Sequence, residues 1–184
     1  MFASLVNLFF PKTCAACDGL LLTSENVICT WCRHELPVTN HHRMANNEVF
    51  IRFYGKFEVQ FAGALLYFYK QGMVQNLIHK LKYKGHQNIG SALGNWYVND
   101  LKTVSILHDV DCIFPVPLHK KRLKFRGYNQ VLTFCNALSE GLQVPVQELI
   151  LIKEKNTKSQ TRKNICPKGV PQHRHRVRYR RRLR

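Results

Sequence analysis

The chain predicts an α/β fold in which a parallel βαβ unit follows a small four-cysteine module. Two observations carry this prediction. Cys14-Ala-Ala-Cys17 and Cys29-Thr-Trp-Cys32 form two CxxC pairs separated by residues 18–28. Farther along, the apolar runs Asp111–Leu118 and Val144–Lys153 flank a helical pattern, and two strands around a crossover helix make a right-handed parallel unit. At 184 residues and 45% hydrophobic, the chain has material for one core plus a small module.

Each CxxC pair presents two sulfurs on one tight turn, and two pairs complete a tetrahedral S4 site suited to structural Zn²⁺. Four thiolates leave no open position for a catalytic water. The competing readings are a redox CxxC, which would normally stand alone beside a βαβ unit, and two disulfides, which do not persist in a reducing cytosol. His41 and His42 fall in the polar stretch Pro37–Asn47, which reads as a linker. They are candidates for extra metal ligands, but four cysteines already close the site, and exposed loop positions are expected instead. The remaining cysteines, Cys112, Cys135 and Cys166, are scattered and suggest no disulfide framework.

The formal charge is +17. All 11 acids lie at or before Glu154, and residues 165–184 hold eight basic residues and no acid. The first 164 residues still carry 20 basic against 11 acidic groups, or +9. That excess favours polyanionic partners, with an unspecific solvated surface as the alternative. Met1–Phe10 is apolar, lacks a secretory pattern and is too short to span a bilayer, so a cytoplasmic protein with a short leading helix is expected.

The elements follow in order. Residues 1–40 read as the leading helix and metal module. Phe61–Tyr69 has the composition of a strand buried on both faces. Met73, Leu77, Ile78 and Leu81 mark an amphipathic helix that Gly85 ends, with Lys80, Lys82 and Lys84 near its C-terminus. Residues 88–107 are helical, with a break expected near Gly94. After the strand that ends in Pro115-Val-Pro117 comes a basic loop over residues 119–127. The next helix has Asn129 as N-cap, Val131, Leu132, Cys135 and Leu138 as its apolar face, and Gly141 at its end.

In an open α/β sheet ligands bind at the carboxyl ends of strands, which is where this loop falls. Lys120, Lys121, Arg122, Lys124 and Arg126 lie within seven residues, next to a helix N-terminus that itself favours an anion. Arg126 can fork onto phosphate oxygens, and Gly127 allows close backbone approach. Phosphate, pyrophosphate or a nucleic-acid backbone would fit, and a solvated basic surface is the plain alternative.

Taken together, the leading LFFPKTCAAC with its second CxxC, LIHKLKYKG at residues 77–85, FPVPLHKKRLKFRGYNQ at 114–130 and NTKSQTRKN at 156–164 resemble the ComF family of phosphoribosyltransferase-like proteins. The resemblance covers about 160 residues. It implies an N-terminal zinc finger fused to a type I phosphoribosyltransferase-like (Rossmann-like) parallel sheet over residues 48–164. It also implies a role in DNA uptake and natural competence, with single-stranded DNA and a competence helicase-like protein as partners. By the same resemblance, the loop after Phe114 corresponds to a pyrophosphate-holding loop, so His119, Asn129 and Gln130 join the basic residues and Gly127 as candidate phosphate or nucleic-acid contacts.

The chain departs from that pattern at its end. Type I phosphoribosyltransferases use two adjacent acids and a Thr/Gly-rich loop to bind phosphoribosyl pyrophosphate. Here no two acids are adjacent, and none follows Glu154. The resemblance stops after Asn164, and residues 165–184 form a basic tail expected to be disordered. Truncation or a frameshift is favoured over a genuine nucleic-acid-binding tail. Mg²⁺ and phosphoribosyl pyrophosphate are therefore expected only where the missing motif is present, and no catalytic residue is assigned. Three functions follow: an accessory protein that binds single-stranded DNA or a helicase, a phosphoribosyltransferase weakened by the missing acids, and an inactive truncated product with an exposed sheet edge.

Overall fold

A computed structural model describes residues 11–56, 58–155 and the strand 177–179. The leading segment 1–10, the NTKSQTRKN block and most of the basic tail lie outside the described residues. The architecture is mixed and mostly helical. Its helices are α1 (Thr30–Glu35), α2 (Glu48–Phe53), α3 (Met73–Tyr83), α4 (Asn88–Leu101), α5 (Lys120–Arg126) and α6 (Gln130–Leu142). Short 3₁₀ turns occupy His41–Arg43 and Ser105–Asp109. Among the described residues no helix is long and apolar enough to cross a membrane.

The expected Rossmann-like parallel sheet is not among the described elements. The two runs expected to form the βαβ unit meet at one parallel bridge, Ile113 with Val146. The Ile113 amide donates to Pro145 O at 2.9 Å, and the Gln147 amide donates to Ile113 O at 2.9 Å. Pro115 and Pro117 supply no amide hydrogen, so the ladder cannot extend in that direction. A separate antiparallel pair joins β1 (Leu151–Lys153) to β2 (Val177–Tyr179), with Ile152 opposite Arg178. Residues 177–179 of the tail form β2 of this pair, and the rest of the tail expected to be disordered lies outside the described residues. The segment 61–69 is not a doubly buried strand either. It pairs antiparallel at Leu66–Val38, flanked by Thr39 N to Leu65 O and Tyr67 N to Pro37 O, and most of it is half-buried.

α3 matches its sequence pattern. Val74 and Leu77 are buried, Met73, Ile78 and Leu81 pack around them, and Gly85 follows at φ 71°. α4 runs unbroken through Gly94. That glycine exists for close packing: a Cβ there would stand 2.6 Å from Ala137 Cβ and 2.8 Å from Phe134 O of α6. Gly90 does the same opposite Thr133 Oγ1, and Gly141 opposite Val98. α6 therefore meets α4 through Thr133, Phe134, Ala137 and Gly141, and Val131 is exposed instead of packed. Gly141 lies inside α6, which continues to Leu142 and ends on Gln143 at φ 57°.

The stretch 37–47 is not a free linker. His41 is 2% exposed, and its Nδ1 accepts from the Ala64 amide at 3.3 Å. Asn47 is buried, donates to Ala62 O at 2.7 Å and caps α2 through the amides of Val49 and Phe50. The side chain of Thr39 also bonds to Ala64 O. These polar residues stitch the 37–47 segment to 62–67, so burial follows hydrogen bonding here and not hydropathy.

Candidate metal centre and basic face

The four Sγ atoms of Cys14, Cys17, Cys29 and Cys32 all lie within 4.8 Å of one another. Cys17 Sγ and Cys29 Sγ are 3.9 Å apart. A tetrahedral site with metal–sulfur bonds of about 2.3 Å has a sulfur–sulfur edge of about 3.8 Å. The described geometry therefore accommodates one tetrahedral metal ion with little movement. His41 and His42 are not part of this cluster.

Local structure explains how the sulfurs converge. The first CxxC sits in a turn closed by Cys14 N to Gly19 O at 2.7 Å and Asp18 N to Cys14 O at 3.0 Å, with Asp18 in the left-handed region at φ 62°. Thr13 and Leu20 pair on either side of that turn. Cys29 caps α1, accepting from the Cys32 amide at 3.4 Å, and the helix carries Cys32 inward. Glu25 holds the connecting loop by accepting from the amides of Leu22 and Thr30. Cys14 Sγ accepts from the amides of Ala16 at 3.4 Å and Cys29 at 3.3 Å. Such N–H···S bonds orient a metal-bound thiolate and offset part of its charge.

The sulfurs differ in environment. Cys14 and Cys32 are 0% exposed, Cys29 is half-buried and Cys17 is exposed. Burial opposes ionisation of Cys14, but donation from the backbone at Cys29, Cys17 and Ala16 outweighs it and brings the thiol down to about 7. Cys32 has no such compensation: burial, then its neighbouring cysteines, push its thiol far up. Cys29 is also raised. The Cys32 amide favours its thiolate, but burial and the other cysteines prevail.

This centre is built into the main core. Cys14, Ala15, Ala16, Cys32 and Leu36 form one buried cluster with Val74 and Leu77 of α3 and Ile89 of α4. Asn76 donates to Ala16 O at 2.9 Å. Lys80 is 8% exposed and donates to Cys14 O at 3.2 Å and Asp18 Oδ1 at 2.5 Å. Arg33 of α1 lies 5.1 Å over the Trp96 ring of α4. In the sequence Lys80 belongs to the basic C-terminal end of α3, where it suits the helix dipole. Its position one turn beyond Leu77, on the buried face, was the signal that it points inward.

The basic stretch 119–127 is a helix, not a loop. Its residues are good helix formers, the His119 ring accepts from the Lys121 amide at 3.2 Å as N-cap, and Gly127 ends the helix at φ 79°. Lys120, Lys121 and Lys124 are exposed, and Arg122 and Arg126 are half-buried on one face, four residues apart. Arg126 lies 5.4 Å over the Tyr83 ring and donates to Gln130 Oε1 at 2.6 Å. Gln130 is buried and donates to Tyr128 O, and the Tyr128 hydroxyl reaches Leu81 O. Asn129 caps α6 at the Val131 amide and donates to Val116 O at 3.1 Å. The end of α3 and the α5–α6 corner therefore meet, with Lys82 beside Arg126 and Arg122. Burial first, then those two guanidiniums, lowers the Lys82 ammonium. Lys82, Tyr83 and Tyr128 were not among the expected contacts.

Comparison with protein-family models, curated proteins and solved structures gives no match.

Proposed function

We propose that the chain is a ComF-type binding protein for single-stranded DNA, held together at its N-terminus by one structural Zn²⁺. The stacking of Arg126 over the aromatic Tyr83, at the end of α3 that also carries Lys82, carries this reading. Lys82 is part-buried with its ammonium lowered, and a polyanion there would favour its charged form. Tyr83 is 54% exposed, and Phe125, on the same helix as Arg122 and Arg126, is 80% exposed. Exposed rings among cations suit unpaired bases and phosphates together. A helicase-like partner and a place in DNA uptake rest on the sequence resemblance alone. For the metal, the all-sulfur donor set and tetrahedral spacing favour zinc.

The test is fluorescence anisotropy of a labelled oligothymidylate with the full chain across a salt series. Binding that weakens with salt and falls in Lys82→Ala/Arg126→Ala supports the proposal. Binding that survives this pair but vanishes on deletion of residues 165–184 assigns it to the tail and overturns it. The parallel Ile113–Val146 bridge favours a second reading, a phosphoribosyltransferase-like domain. Saturable binding of phosphoribosyl pyrophosphate by this chain would move that reading to first place.

A further inference from the structure

The metal centre has two unlike halves. Cys14 and Cys32 are closed off at 0% exposure, whereas Cys17 is exposed and its sulfur lies 3.9 Å from that of half-buried Cys29. Gly19 leaves the Cys17 sulfur uncovered on one side, since a Cβ at that position would stand 3.4 Å from it. Beside Cys17, Asp18 receives Lys80, which also holds the Cys14 carbonyl. Cys17 is thus one residue from the clamp on α3.

We propose that Cys17 and Cys29 are an oxidant-sensitive thiol pair whose oxidation expels the metal and releases α3 from the knuckle. This inference rests on the metal-binding reading of the four cysteines. The oxidant is a small peroxide. The Cys17 thiolate attacks one peroxide oxygen, an S–O bond forms, the O–O bond breaks and hydroxide leaves. The Cys29 thiolate then attacks the Cys17 sulfur, the S–S bond forms and a second hydroxide leaves with the S–O electron pair. Two thiolates lose two electrons, and one peroxide is reduced. Bond formation closes the 3.9 Å gap to about 2.05 Å. Two of four ligands are gone, and the remaining pair, Cys14 and Cys32, cannot hold a tetrahedral ion. Moving Cys17 draws Asp18 with it and strains both hydrogen bonds of Lys80.

The experiment starts from the full chain reconstituted with zinc under reducing conditions, with metal content measured before oxidant is added. Stoichiometric hydrogen peroxide is then added, and zinc release, disulfide position by peptide mass mapping and hydrogen exchange over residues 73–83 are followed together. The expected result is one zinc released per disulfide, a Cys17–Cys29 bond as the first product, and faster exchange in α3 that reverses with thiol reductant and zinc. A first disulfide at any other pair, zinc retained after Cys17–Cys29 forms, or unchanged exchange in α3 would each overturn the proposal. A chain that takes up no zinc at the outset overturns the metal reading itself, and that result is seen before any oxidant is present.

Discussion

Lys80 donates a hydrogen bond to the carbonyl of Cys14 at 3.2 Å, across 66 residues of sequence. A buried ammonium on α3 thus anchors the knuckle that carries the first metal ligand. Asp18, 69% exposed, completes the contact and needs little help from the fold to stay hydrated. Lys80→Met removes this donor while Cys14 O keeps the Asp18 amide, so the loss is that of one hydrogen bond, about 0.5–1.5 kcal/mol. Urea unfolding of the zinc-loaded chain is expected to show a lower midpoint at unchanged m-value. A midpoint equal to that of the parent chain would mean that the clamp contributes nothing.

Asp18 also ties this contact to pH. Its carboxyl is held below 3.8 chiefly by the hydrogen bond from Lys80. A lowered carboxyl contributes stability that is complete above its unfolded value and lost as pH falls through the folded one. The stability difference between the parent chain and Asp18→Asn should therefore be constant well above the unfolded carboxyl value of about 4 and shrink as pH falls below it. Exposure keeps the effect small, so paired unfolding curves at matched zinc occupancy are the measurement.

Metal affinity should rise with pH, because every ligand binds as thiolate. Cys32 and Cys29 are raised and must each release a proton on binding at neutral pH. Cys14, at about 7, adds a further proton only on the acid side of that value. A plot of log affinity against pH, obtained by chelator competition, is expected to steepen by about one proton below pH 7. A constant slope through that region would show that backbone donation to Cys14 Sγ does not set its ionisation.

The metal cluster was legible in the sequence because CxxC spacing fixes sulfur geometry locally. α3 and the start of α6 were legible for a similar reason, since Gly85 and Asn129 are local end signals, whereas Gly141 lies inside α6 and Val131 is exposed. What failed were expectations that depend on distant partners. Phe61–Tyr69 has strand composition, but its partner begins with Pro37 and offers one bridge. The cluster 119–127 looked like a loop because cations are read as surface, yet helix propensity and Gly127 favoured α5. His41 looked exposed by type and Lys80 was read only as part of a basic helix end, yet both are buried with hydrogen bonds that only the fold supplies.

The basic face makes a separable prediction. Each single-strand phosphate contact adds about 0.7 to the slope of log affinity against log salt. Removing Lys82 and Arg126 together should lower that slope by about 1.4 when both contact phosphates. Tyr83→Leu, which keeps the cations, should weaken binding with the slope unchanged, because stacking is not a counterion effect. Equal slopes for the parent chain and the double variant would place the phosphate contacts elsewhere.

Gly94 gives the sharpest test of the helical core. By propensity alone, Gly94→Ala should stabilise α4 by about 1 kcal/mol. The added Cβ, however, meets Ala137 Cβ at 2.6 Å and the Phe134 carbonyl at 2.8 Å. Backbone cannot rotate away as a flexible side chain can, so α4 and α6 must separate, and overpacking of this kind costs about 1–3 kcal/mol. Packing should therefore win, with a net loss of up to about 2 kcal/mol in urea unfolding. Ala137→Gly would relieve the Cβ clash in the double variant but not the one with Phe134 O, so rescue should be partial. Full rescue would show that the Phe134 carbonyl yields, and a more stable Gly94→Ala chain would mean that the two helices do not meet at this distance.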